Sequence, residues 1–497
     1  MPIPFIAQTA FDGLSSIPYA YSGLKVVACL CLIALLKSYF GGAQHTADGV
    51  LHSKVIMITG GTSGIGSSIA ADLAQRGAQI ILLTKYSPSD LFLVEYIEDL
   101  RAKTNNELIY AEQVDLSSLH SIRLFATKWV DNAPPRRLDM VILCASTQNP
   151  RSSSGSGKTK YTVDGLDEEW QVNYLANYHL LSILSPALRA QPPDRDVRVI
   201  FAGCAGYIGG KLDFNALEEY TSLSSMAAGT TTTSPKSKKS KPSTSSTTIS
   251  RKPPMFATSK LALLTFARSF QSHLSAYSRP DKQPPNARVL VVDPGLSRTP
   301  GTRRWITRGS LWGLLVYLLT WPLWWLILKS PQQGAQSFLM AVLEMGFSAE
   351  AVHAVSAAEN IAKNAGNGDK KRATSTTAAV AAVEDVSKLA GVGMGIEKGK
   401  IIKECKERDV LRPEIMDDNV AKELWEFSER QIEAREKEGA VLRALEKKER
   451  EAWEKEKKEK EKEKEQAKGN GGEGIEVSGS KGNKTKAPGS RRSRKAK

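Results

Sequence analysis

Short apolar runs alternate with helical patterns along residues 53–355. Stretches such as GSSIAADLAQRG (66–77) and VNYLANYHLLSILSPAL (172–188) repeat apolar residues at three- and four-residue spacing, which predicts helices. The runs between them are nearly continuous in apolar residues, as is typical of strands in a parallel sheet that is covered on both faces. They are KVIMITG (54–60), AQIILLT (78–84), LDMVILCA (138–145), VRVIFAG (197–203) and ARVLVVDPG (287–295). This alternation predicts an α/β fold built on a doubly wound parallel sheet.

An apolar segment, LKVVACLCLIALLKSYF (24–40), precedes the first predicted strand. Its uninterrupted apolar core covers 26–36, which is shorter than the roughly 20 residues that span a bilayer. No basic stretch precedes it and no small-residue cleavage site follows it, so the pattern does not favour a cleaved signal peptide. Two alternatives stay open, a signal anchor and a helix that lies in the membrane interface.

A second apolar segment, LWGLLVYLLTWPLWWLILKS (311–330), has about the length of a span and contains four Trp residues. Trp is enriched at membrane interfaces, whereas Pro322 interrupts the middle of the run. The sequence on both sides of this segment reads as one fold, so both flanks must lie on one side of a membrane. We therefore expect an interfacial helix pair or a shallow hairpin and exclude a single crossing.

The chain divides by composition into a membrane-proximal segment (1–50), the α/β domain (51–355), a flexible insertion (356–398), further elements of the same domain (399–444) and a charged tail (445–497). Residues 221–252 form a Ser/Thr/Lys-rich insertion that we predict to be disordered. Within the second insertion, TAAVAAVEDVSKLAG (377–391) is a candidate short helix. The tail segment 445–468 alternates Glu and Lys, which suits either a salt-bridged helix or a solvated tail.

The net charge of +15 does not indicate a nucleic-acid partner, because 14 of the excess positive charges lie in 221–252 and 480–497. These are low-complexity segments, and the rest of the 497-residue chain is close to neutral. Five scattered cysteines do not form a disulfide framework and fit a reducing compartment. Six histidines form no metal-binding motif, so we expect no metal. The oligomeric state is left open.

The stretch VIMITGGTSGIGSSIAADLAQRG (55–77) carries the strongest chemical signal. A predicted strand ends at Thr59, the glycines Gly60, Gly64 and Gly66 follow at the motif positions, and a helix begins at once. Glycines in such a turn let the backbone approach a pyrophosphate, which sits where the N–H groups of the helix N-terminus are unsatisfied. This arrangement predicts a dinucleotide site.

The TGxxxGIG spacing, together with later motifs, resembles the short-chain dehydrogenase/reductase family, whose fold is Rossmann-like. The further motifs are VDLSSLHSIR (114–123), WQVNYLANYHLL (170–181) and VVDPGLSRT (291–299). Residues 330–343 and 399–429 resemble its retinol-dehydrogenase-like branch. The resemblance implies that a nicotinamide dinucleotide is held by Gly60, Ser63, Gly64, Ile65, Gly66, Lys85, Asp115, Leu116, Ala145, Asn173, Lys260, Pro294, Gly295 and Thr299. Lys85 stands where many NAD enzymes carry an acid, which favours NADP(H) over NAD(H).

The family's chemistry uses a Tyr, a Lys four residues later, a Ser and an Asn, with the cation tuning the Tyr for general acid–base catalysis. In this chain the Lys and Asn positions are Lys260 and Asn173. The Tyr position is Phe256 and the Ser position is Cys204, and Cys144 replaces a further Asn. Phe has no group that donates or accepts a proton, whereas Cys is a weak donor and acceptor.

Two other groups are candidates for the missing proton transfer. Tyr207 lies three residues after Cys204, although a packing role is the simpler interpretation, and Lys260 could act alone with a lowered pKa. The resulting hypothesis is an NADP(H)-dependent oxidoreductase for the carbonyl or hydroxyl of an apolar, membrane-partitioned substrate. The alternative is a pseudoenzyme that binds the dinucleotide as a membrane-surface scaffold or sensor. We expect attachment to the cytosolic face of the endoplasmic reticulum or a lipid droplet.

Overall fold

The computed structural model describes residues 20–46, 48–149, 160–218, 254–281, 285–343 and 396–469. Its centre is an eight-stranded sheet with the order β3-β2-β1-β4-β5-β6-β7-β8, in which only the β7–β8 pair is antiparallel. The strands are β1 (Val55–Thr59), β2 (Gln79–Thr84), β3 (Ile109–Gln113), β4 (Met140–Leu143), β5 (Val197–Ala202), β6 (Ala287–Asp293), β7 (Lys400–Lys403) and β8 (Lys406–Asp409). The doubly wound fold predicted from the sequence is confirmed.

The five continuous apolar runs became the five central strands β1, β2, β4, β5 and β6. The sequence pattern missed β3, which lies at one edge of the sheet and is only partly buried. An edge strand with one wet face lacks the continuous apolar run that marks a central parallel strand. Hydrophobicity alone therefore predicted the central strands, and it did not predict the edge strand β3.

Helices cover both faces of the sheet and bury two separate apolar clusters. One face carries α2 (Gly64–Gln75), α3 (Leu91–Thr104) and α11 (Pro331–Leu343). The other face carries α4 (Leu119–Val130) and α7 (Met255–Ser275). Between them in the chain, α5 (Glu168–Trp170), a π-helical turn (Gln171–Leu175) and α6 (Ala176–Arg189) follow one another without a break on the same face. Side chains alternate between the two clusters along each strand, for example Val291 on the α7 face and Val292 on the α2 face.

The Trp-rich segment is an excursion that leaves the sheet and returns to the same point. The segment forms α9 (Leu311–Leu319) and α10 (Trp321–Ile327), and α8 (Pro300–Thr307) leads into it. The backbone of Lys329 pairs with the backbone before the excursion, since its N–H donates to Leu296 (3.1 Å) and its C=O accepts from Arg298 (2.8 Å). Because the two ends meet, α9 and α10 form a helix pair that leaves and rejoins the domain at the same place. That this pair lies in a membrane interface stays a prediction.

The N-terminal apolar segment forms α1 (Ala20–Gly41), which is longer than the apolar core seen in the sequence. Among the described residues it is the one helix whose length and hydropathy would suffice to cross a membrane, over Ser22–Gly41. Its C-terminal end contacts α10, where the Lys37 ammonium donates to the C=O of Trp325 (2.6 Å) and lies over its ring. The apolar core at 26–36 therefore underestimated the length of the helix, which extends beyond that core at both ends.

The C-terminal elements are the β7–β8 hairpin and α12 (Asp418–Gly469), accompanied by 3₁₀ turns at Ile396–Lys398 and Pro413–Met416. The first part of α12 packs on α5 and the π-helical turn, where Trp170 Nε1 donates to Gln431 (2.8 Å) and the Tyr174 and Ser428 hydroxyls are 2.6 Å apart. Compact packing divides the chain between Glu436 and Lys437. The helix continues to Gly469, as in the helical alternative for the tail, and its side chains over 437–455 are largely exposed. The predicted insertion 221–252 and most of the predicted insertion 356–398, with the candidate helix 377–391, lie outside the described residues, and the end of the second insertion forms the 3₁₀ turn Ile396–Lys398.

Candidate active site

Gly60, directly after β1, and Gly66, in the first turn of α2, leave no room for a side chain. Gly60 has a φ of 69°, and a Cβ there would lie 2.9 Å from the backbone of Ala145. At Gly66 a Cβ would lie 2.2 Å from the C=O of Gly60, which is closer than any real contact. The backbone is thus bare at the N-terminus of a twelve-residue helix, where unsatisfied N–H groups favour a phosphate. This geometry fits a pyrophosphate.

The turn is held against the ends of the neighbouring strands. The hydroxyl of Thr59 accepts the N–H of Ala145 (3.2 Å), which ties the loop after β4 to the end of β1. Gly64 faces Thr299, because a Cβ on Gly64 would lie 3.3 Å from the Thr299 methyl group. Thr299 also caps α8 by accepting the N–H of Thr302 (3.3 Å). Ser63 is exposed and Ile65 is half-buried beside Gly334.

Two further predicted cofactor residues follow β2 and β3. Lys85 is exposed directly after β2, and its ammonium lies 5.2 Å from the centre of the Tyr86 ring. Asp115 is half-buried, and its carboxylate accepts from the N–H (2.9 Å) and hydroxyl (2.7 Å) of Ser117, with Leu116 half-buried between them. The carboxyl ends of parallel strands lie along one edge of the sheet, so these groups lie at the same edge as the glycine turn.

Lys260 and Asn173 are both almost fully buried, the Lys260 ammonium at the end of β5 and Asn173 beside Ser259, the residue before Lys260. Lys260 Nζ donates to the C=O of Ala202 (3.1 Å). The side chain of Asn173 is held by the backbone of Thr147, through Oδ1 (2.7 Å) and Nδ2 (2.9 Å), and donates to Ser259 Oγ (3.2 Å). The C=O of Asn173 accepts from Asn177 (2.9 Å). Both polar atoms of the Asn173 side chain and its C=O are therefore engaged by protein partners.

The two substituted positions lie side by side. A Cβ on Gly206 would lie 3.3 Å from the Phe256 ring and 3.5 Å from Cys204 Sγ, so both side chains border the same glycine. Cys204 is half-buried, and its sulfur accepts the N–H of Gly206 (3.4 Å). Tyr207 is buried, and its hydroxyl accepts the N–H of Leu411 (3.1 Å), which agrees with the packing interpretation.

Burial governs the charge state of this cluster. It lowers the pKa of Lys260, which the neighbouring Cys204, Cys144 and Asp293 partly oppose. Burial also raises the pKa of Cys144 to about 12, against a smaller lowering by Lys260, so this thiol stays protonated at neutral pH. Lys260 is consequently held in surroundings that weaken its hold on a proton.

A cavity of about 490 Å³ lies next to this cluster, at the carboxyl ends of β6 and β7. Its lining is apolar on one part, from Ala205, Tyr207, Ile208, Ile401 and Leu411, and charged on another, from Asp293, Lys403, Glu404, Arg408 and Asp409. Arg412 closes the loop after β5 over this region by donating to the C=O of Ile208 (2.9 Å). In open α/β sheets this edge is where ligands bind.

Three polar residues of the site were not singled out from the sequence. Ser259 joins Asn173 to the start of α7, since its hydroxyl donates to the C=O of Phe256 (2.9 Å). The side chain of Asn177 donates a hydrogen bond to the C=O of Asn173, and Asp293 is a buried acidic residue at the end of β6. Asp293 stands directly before Pro294 and Gly295 in the VVDPG motif, so a charged residue ending an apolar strand was the available signal.

Comparison with known proteins agrees with this geometry. Residues 54–201 match the family model described as short chain dehydrogenase. An uncharacterized oxidoreductase of Schizosaccharomyces pombe, pbr1, is 40% identical over 70% of this chain and 85% of its own length. A second from Saccharomyces cerevisiae, YNL181W, is 35% identical over 69% of this chain and 80% of its own length. Human retinol dehydrogenase 13 is 27% identical over 62% of this chain and 78% of its own length. The chain belongs to the short-chain dehydrogenase/reductase family, on its retinol-dehydrogenase-like side.

Proposed function

We propose that this protein is an NADP(H)-dependent oxidoreductase that acts on the carbonyl or hydroxyl of an apolar, membrane-partitioned substrate. The observation that supports the proposal is the bare backbone of Gly60 and Gly66 at the start of α2, where no side chain fits and where the N–H groups of a helix N-terminus favour a phosphate. The bound dinucleotide would supply or accept a hydride. This protein's own residues have to bind the substrate, exclude water and move the proton.

The preference for NADP(H) rests on Lys85. The exposed ammonium after β2 stands where an acid would hold the ribose hydroxyls of NAD, and a cation there favours a 2′-phosphate. Within the described residues no carboxylate takes that position after β2, since Lys85 is followed by Tyr86 and Ser87.

The substrate class rests on the surfaces around the cavity. The helix pair α9–α10 and helix α1 expose many large apolar side chains, among them Leu311, Trp312 and Leu319. A patch of this kind on a soluble domain indicates a membrane or partner surface. The excursion ends at Lys329, which pairs with Glu404 (2.8 Å) of the cavity lining. An apolar substrate in the bilayer would then reach the cavity, with its polar end against the charged part.

The catalytic proposal assigns the proton to Lys260. Phe256 cannot carry it, and Cys204 offers a weak hydrogen-bonding sulfur for the substrate oxygen. In the reducing direction an N–H bond of the Lys260 ammonium breaks and an O–H bond forms on the substrate oxygen, while the hydride adds to the carbon. A lowered pKa makes the buried ammonium a better acid at neutral pH.

A pseudoenzyme is the second candidate, and Phe256 is the observation that favours it. Loss of a general acid costs about 10²–10⁴-fold in rate, so a chain with an intact dinucleotide site could act as a membrane-surface scaffold or sensor. Both candidates share the cytosolic face of the endoplasmic reticulum or a lipid droplet as the expected location. Neither requires a nucleic-acid partner.

The test is NADPH binding and turnover with purified full-length protein. Titration of protein fluorescence with NADPH measures binding, and a panel of retinoid, steroid and lipid ketones in detergent micelles measures turnover, with Lys260→Met as the matched control. Binding together with Lys260-dependent turnover is expected. Binding without turnover above the Lys260→Met background would select the pseudoenzyme, and absence of binding would overturn both candidates.

The location is tested separately by fluorescence microscopy of tagged chains that lack 24–40 or 311–328. We expect each deletion to reduce membrane attachment. Unchanged attachment in both truncated chains would contradict the proposed membrane surface.

A further inference from the structure

Positive charge is concentrated on the exposed apolar elements of the molecule. Over residues 20–46, which contain α1, and 294–343, which contain α8, α9 and α10, the sequence has no Asp or Glu. The same two stretches contain seven Lys and Arg residues: Lys25, Lys37, Arg298, Arg303, Arg304, Arg308 and Lys329. Acidic and basic residues are mixed elsewhere in the domain, so these stretches carry a local excess of positive charge.

The two stretches adjoin in the structure. The Lys37 ammonium near the end of α1 donates to the C=O of Trp325 on α10 and lies over its ring. A few residues later, the N–H of His45 donates to the side chain of Gln336 on α11 (3.0 Å). The exposed apolar side chains of α1, α9 and α10 therefore belong to neighbouring parts of one surface.

The short helix α8 places three arginines directly before the apolar helix α9. Arg303, Arg304 and Arg308 are exposed, and no ion pair or hydrogen bond engages their guanidinium groups within the described part of the chain. Helix α9 packs on the end of α8, since a Cβ on Gly313 would lie 2.1 Å from the C=O of Thr307. The three arginines therefore stand beside the N-terminal end of an exposed apolar helix.

A fourth cation lies where the excursion leaves the sheet. The Arg298 guanidinium lies 4.9 Å from the centre of the Trp321 ring on α10. Lys329, at the other end of the excursion, is paired with Glu404, whereas Arg298 Nη1 is buried without a hydrogen-bond partner among the residues that the structure describes. A buried donor without a partner is costly, so this guanidinium has a donor left for an anionic or polar group.

Cations beside exposed Trp and Leu side chains match the chemistry of an anionic bilayer surface. Apolar side chains enter the acyl region, Trp favours the headgroup level, and Lys or Arg near the surface is attracted to anionic lipids. No carboxylate in the sequence of either stretch opposes that attraction. A nucleic acid would use the same charges but would leave the apolar side chains of α9 and α10 in water.

We propose that the surface formed by α1, α8, α9 and α10, the basic apolar surface, docks on a bilayer that contains anionic phospholipids. Arg303, Arg304 and Arg308 bind the phosphate groups of these lipids, and α9 and α10 enter the leaflet. This assignment rests on the proposed function, which places these helices at a membrane, and adds the lipid class that they recognise. Docking brings the end of the excursion, with the Lys329–Glu404 pair of the cavity lining, next to the bilayer.

The test is flotation of purified full-length protein with increasing amounts of two kinds of vesicle. One kind is phosphatidylcholine alone, and the other is phosphatidylcholine and phosphatidylserine in equal parts. A cation near an anionic surface contributes about fivefold in affinity, so three contribute about 10²-fold. The α8 variant, Arg303→Gln with Arg304→Gln and Arg308→Gln, should lose about that factor on anionic vesicles and bind neutral ones as before. Equal binding of the unmodified protein to both kinds of vesicle would overturn the lipid assignment.

The matched control removes the same number of arginines from the basic C-terminal tail, as Arg491→Gln with Arg492→Gln and Arg494→Gln. Its affinity for anionic vesicles should fall less than that of the α8 variant. An equal or larger fall would show that net charge selects the lipid, and the basic apolar surface would lose its role. The corresponding triple substitution to Lys in α8 keeps the charge and should retain most of the affinity, whereas a loss as large as with Gln would contradict the assignment.

NADPH titration separates the basic apolar surface from the dinucleotide site, because α8 directly follows Thr299. The α8 variant should bind NADPH with unchanged affinity, which also shows that it is folded. A fall in NADPH affinity with unchanged vesicle binding would assign the three arginines to the dinucleotide and overturn the lipid assignment.

Failure of the proposed function has a different signature. If NADPH binds and ketones turn over in detergent micelles, but both kinds of vesicle bind equally, only the lipid assignment fails. If no ketone turns over and the α8 variant still loses its preference for anionic vesicles, the oxidoreductase proposal fails and the lipid assignment stands.

Discussion

The dinucleotide half of the site and the proton-transfer half have diverged differently from the family pattern. The first, around Gly60, Gly64 and Gly66, keeps the features that the family uses. The second carries Phe256 and Cys204 at the Tyr and Ser positions, within the same intact fold. The dinucleotide half is built from backbone and from missing side chains, so altering it disturbs packing. The proton-transfer half depends on single polar atoms, which can be exchanged without a change in fold.

The largest effect is expected from restoring the missing hydroxyls. Phe256→Tyr combined with Cys204→Ser should raise ketone reduction by about 10²–10⁴-fold, because a general acid returns beside Lys260. The measurement is NADPH oxidation with the ketone panel. Phe214→Tyr, which adds a hydroxyl to another half-buried ring, is the control and should change nothing. No gain in the double variant, with NADPH binding retained, would show that the two halves differ by more than these atoms.

The next effect tests the dinucleotide half. Gly66→Ala places a methyl group 2.2 Å from the C=O of Gly60, so the turn must shift. Overpacking of this kind costs about 1–3 kcal/mol, and we expect at least a tenfold loss of NADPH affinity, or about 1.4 kcal/mol. Gly301→Ala, where the added group meets only the Thr299 hydroxyl at 3.8 Å, is the matched control. Equal NADPH affinity in the two variants would mean that the bare backbone is not the binding surface.

A smaller effect concerns the choice between dinucleotides. Lys85→Ala should weaken NADPH binding about tenfold, or about 1.4 kcal/mol, and leave NADH binding unchanged, because only NADPH carries the 2′-phosphate. The two dissociation constants are measured by fluorescence titration. Lys128→Ala, an exposed lysine on α4, serves as control. Parallel losses for both dinucleotides would remove Lys85 from the discrimination.

The smallest effect on catalysis is expected from the exposed apolar surface of α9. This surface belongs neither to the dinucleotide half nor to the proton-transfer half of the site. Replacing Leu311, Trp312 and Leu319 with Ser removes side chains that are 75–85% exposed, so the free energy of unfolding should change little. Liposome flotation should show a clear loss of bound protein, because buried apolar area contributes about 25 cal/mol per Å². The control is Leu124→Ser combined with Val163→Ser, which removes exposed apolar side chains outside α9. Equal flotation of the two variants would contradict a membrane role for α9.

Several features of the fold and the site could be predicted because their cause is local. Continuous apolar runs identified the five central strands, and the glycine spacing identified the turn that follows β1. The i,i+4 relation of Phe256 and Lys260 placed both on one helix. The edge strand β3 and the full length of α1 were less predictable, since partial burial leaves a weak pattern and a helix extends past its apolar core.

The sequence by itself determined the family, the sheet and the loss of the tyrosine hydroxyl, because each is carried by residues close together in the chain. Only the tertiary structure decided which groups lie beside one another in the site. The C=O of Ala202 accepts a hydrogen bond from Lys260 across 58 positions of the sequence. The same applies to Ser259 and Asn173, which a hydrogen bond joins across 86 positions. Electrostatic interaction depends on distance and burial in space, and separation along the chain does not report either one.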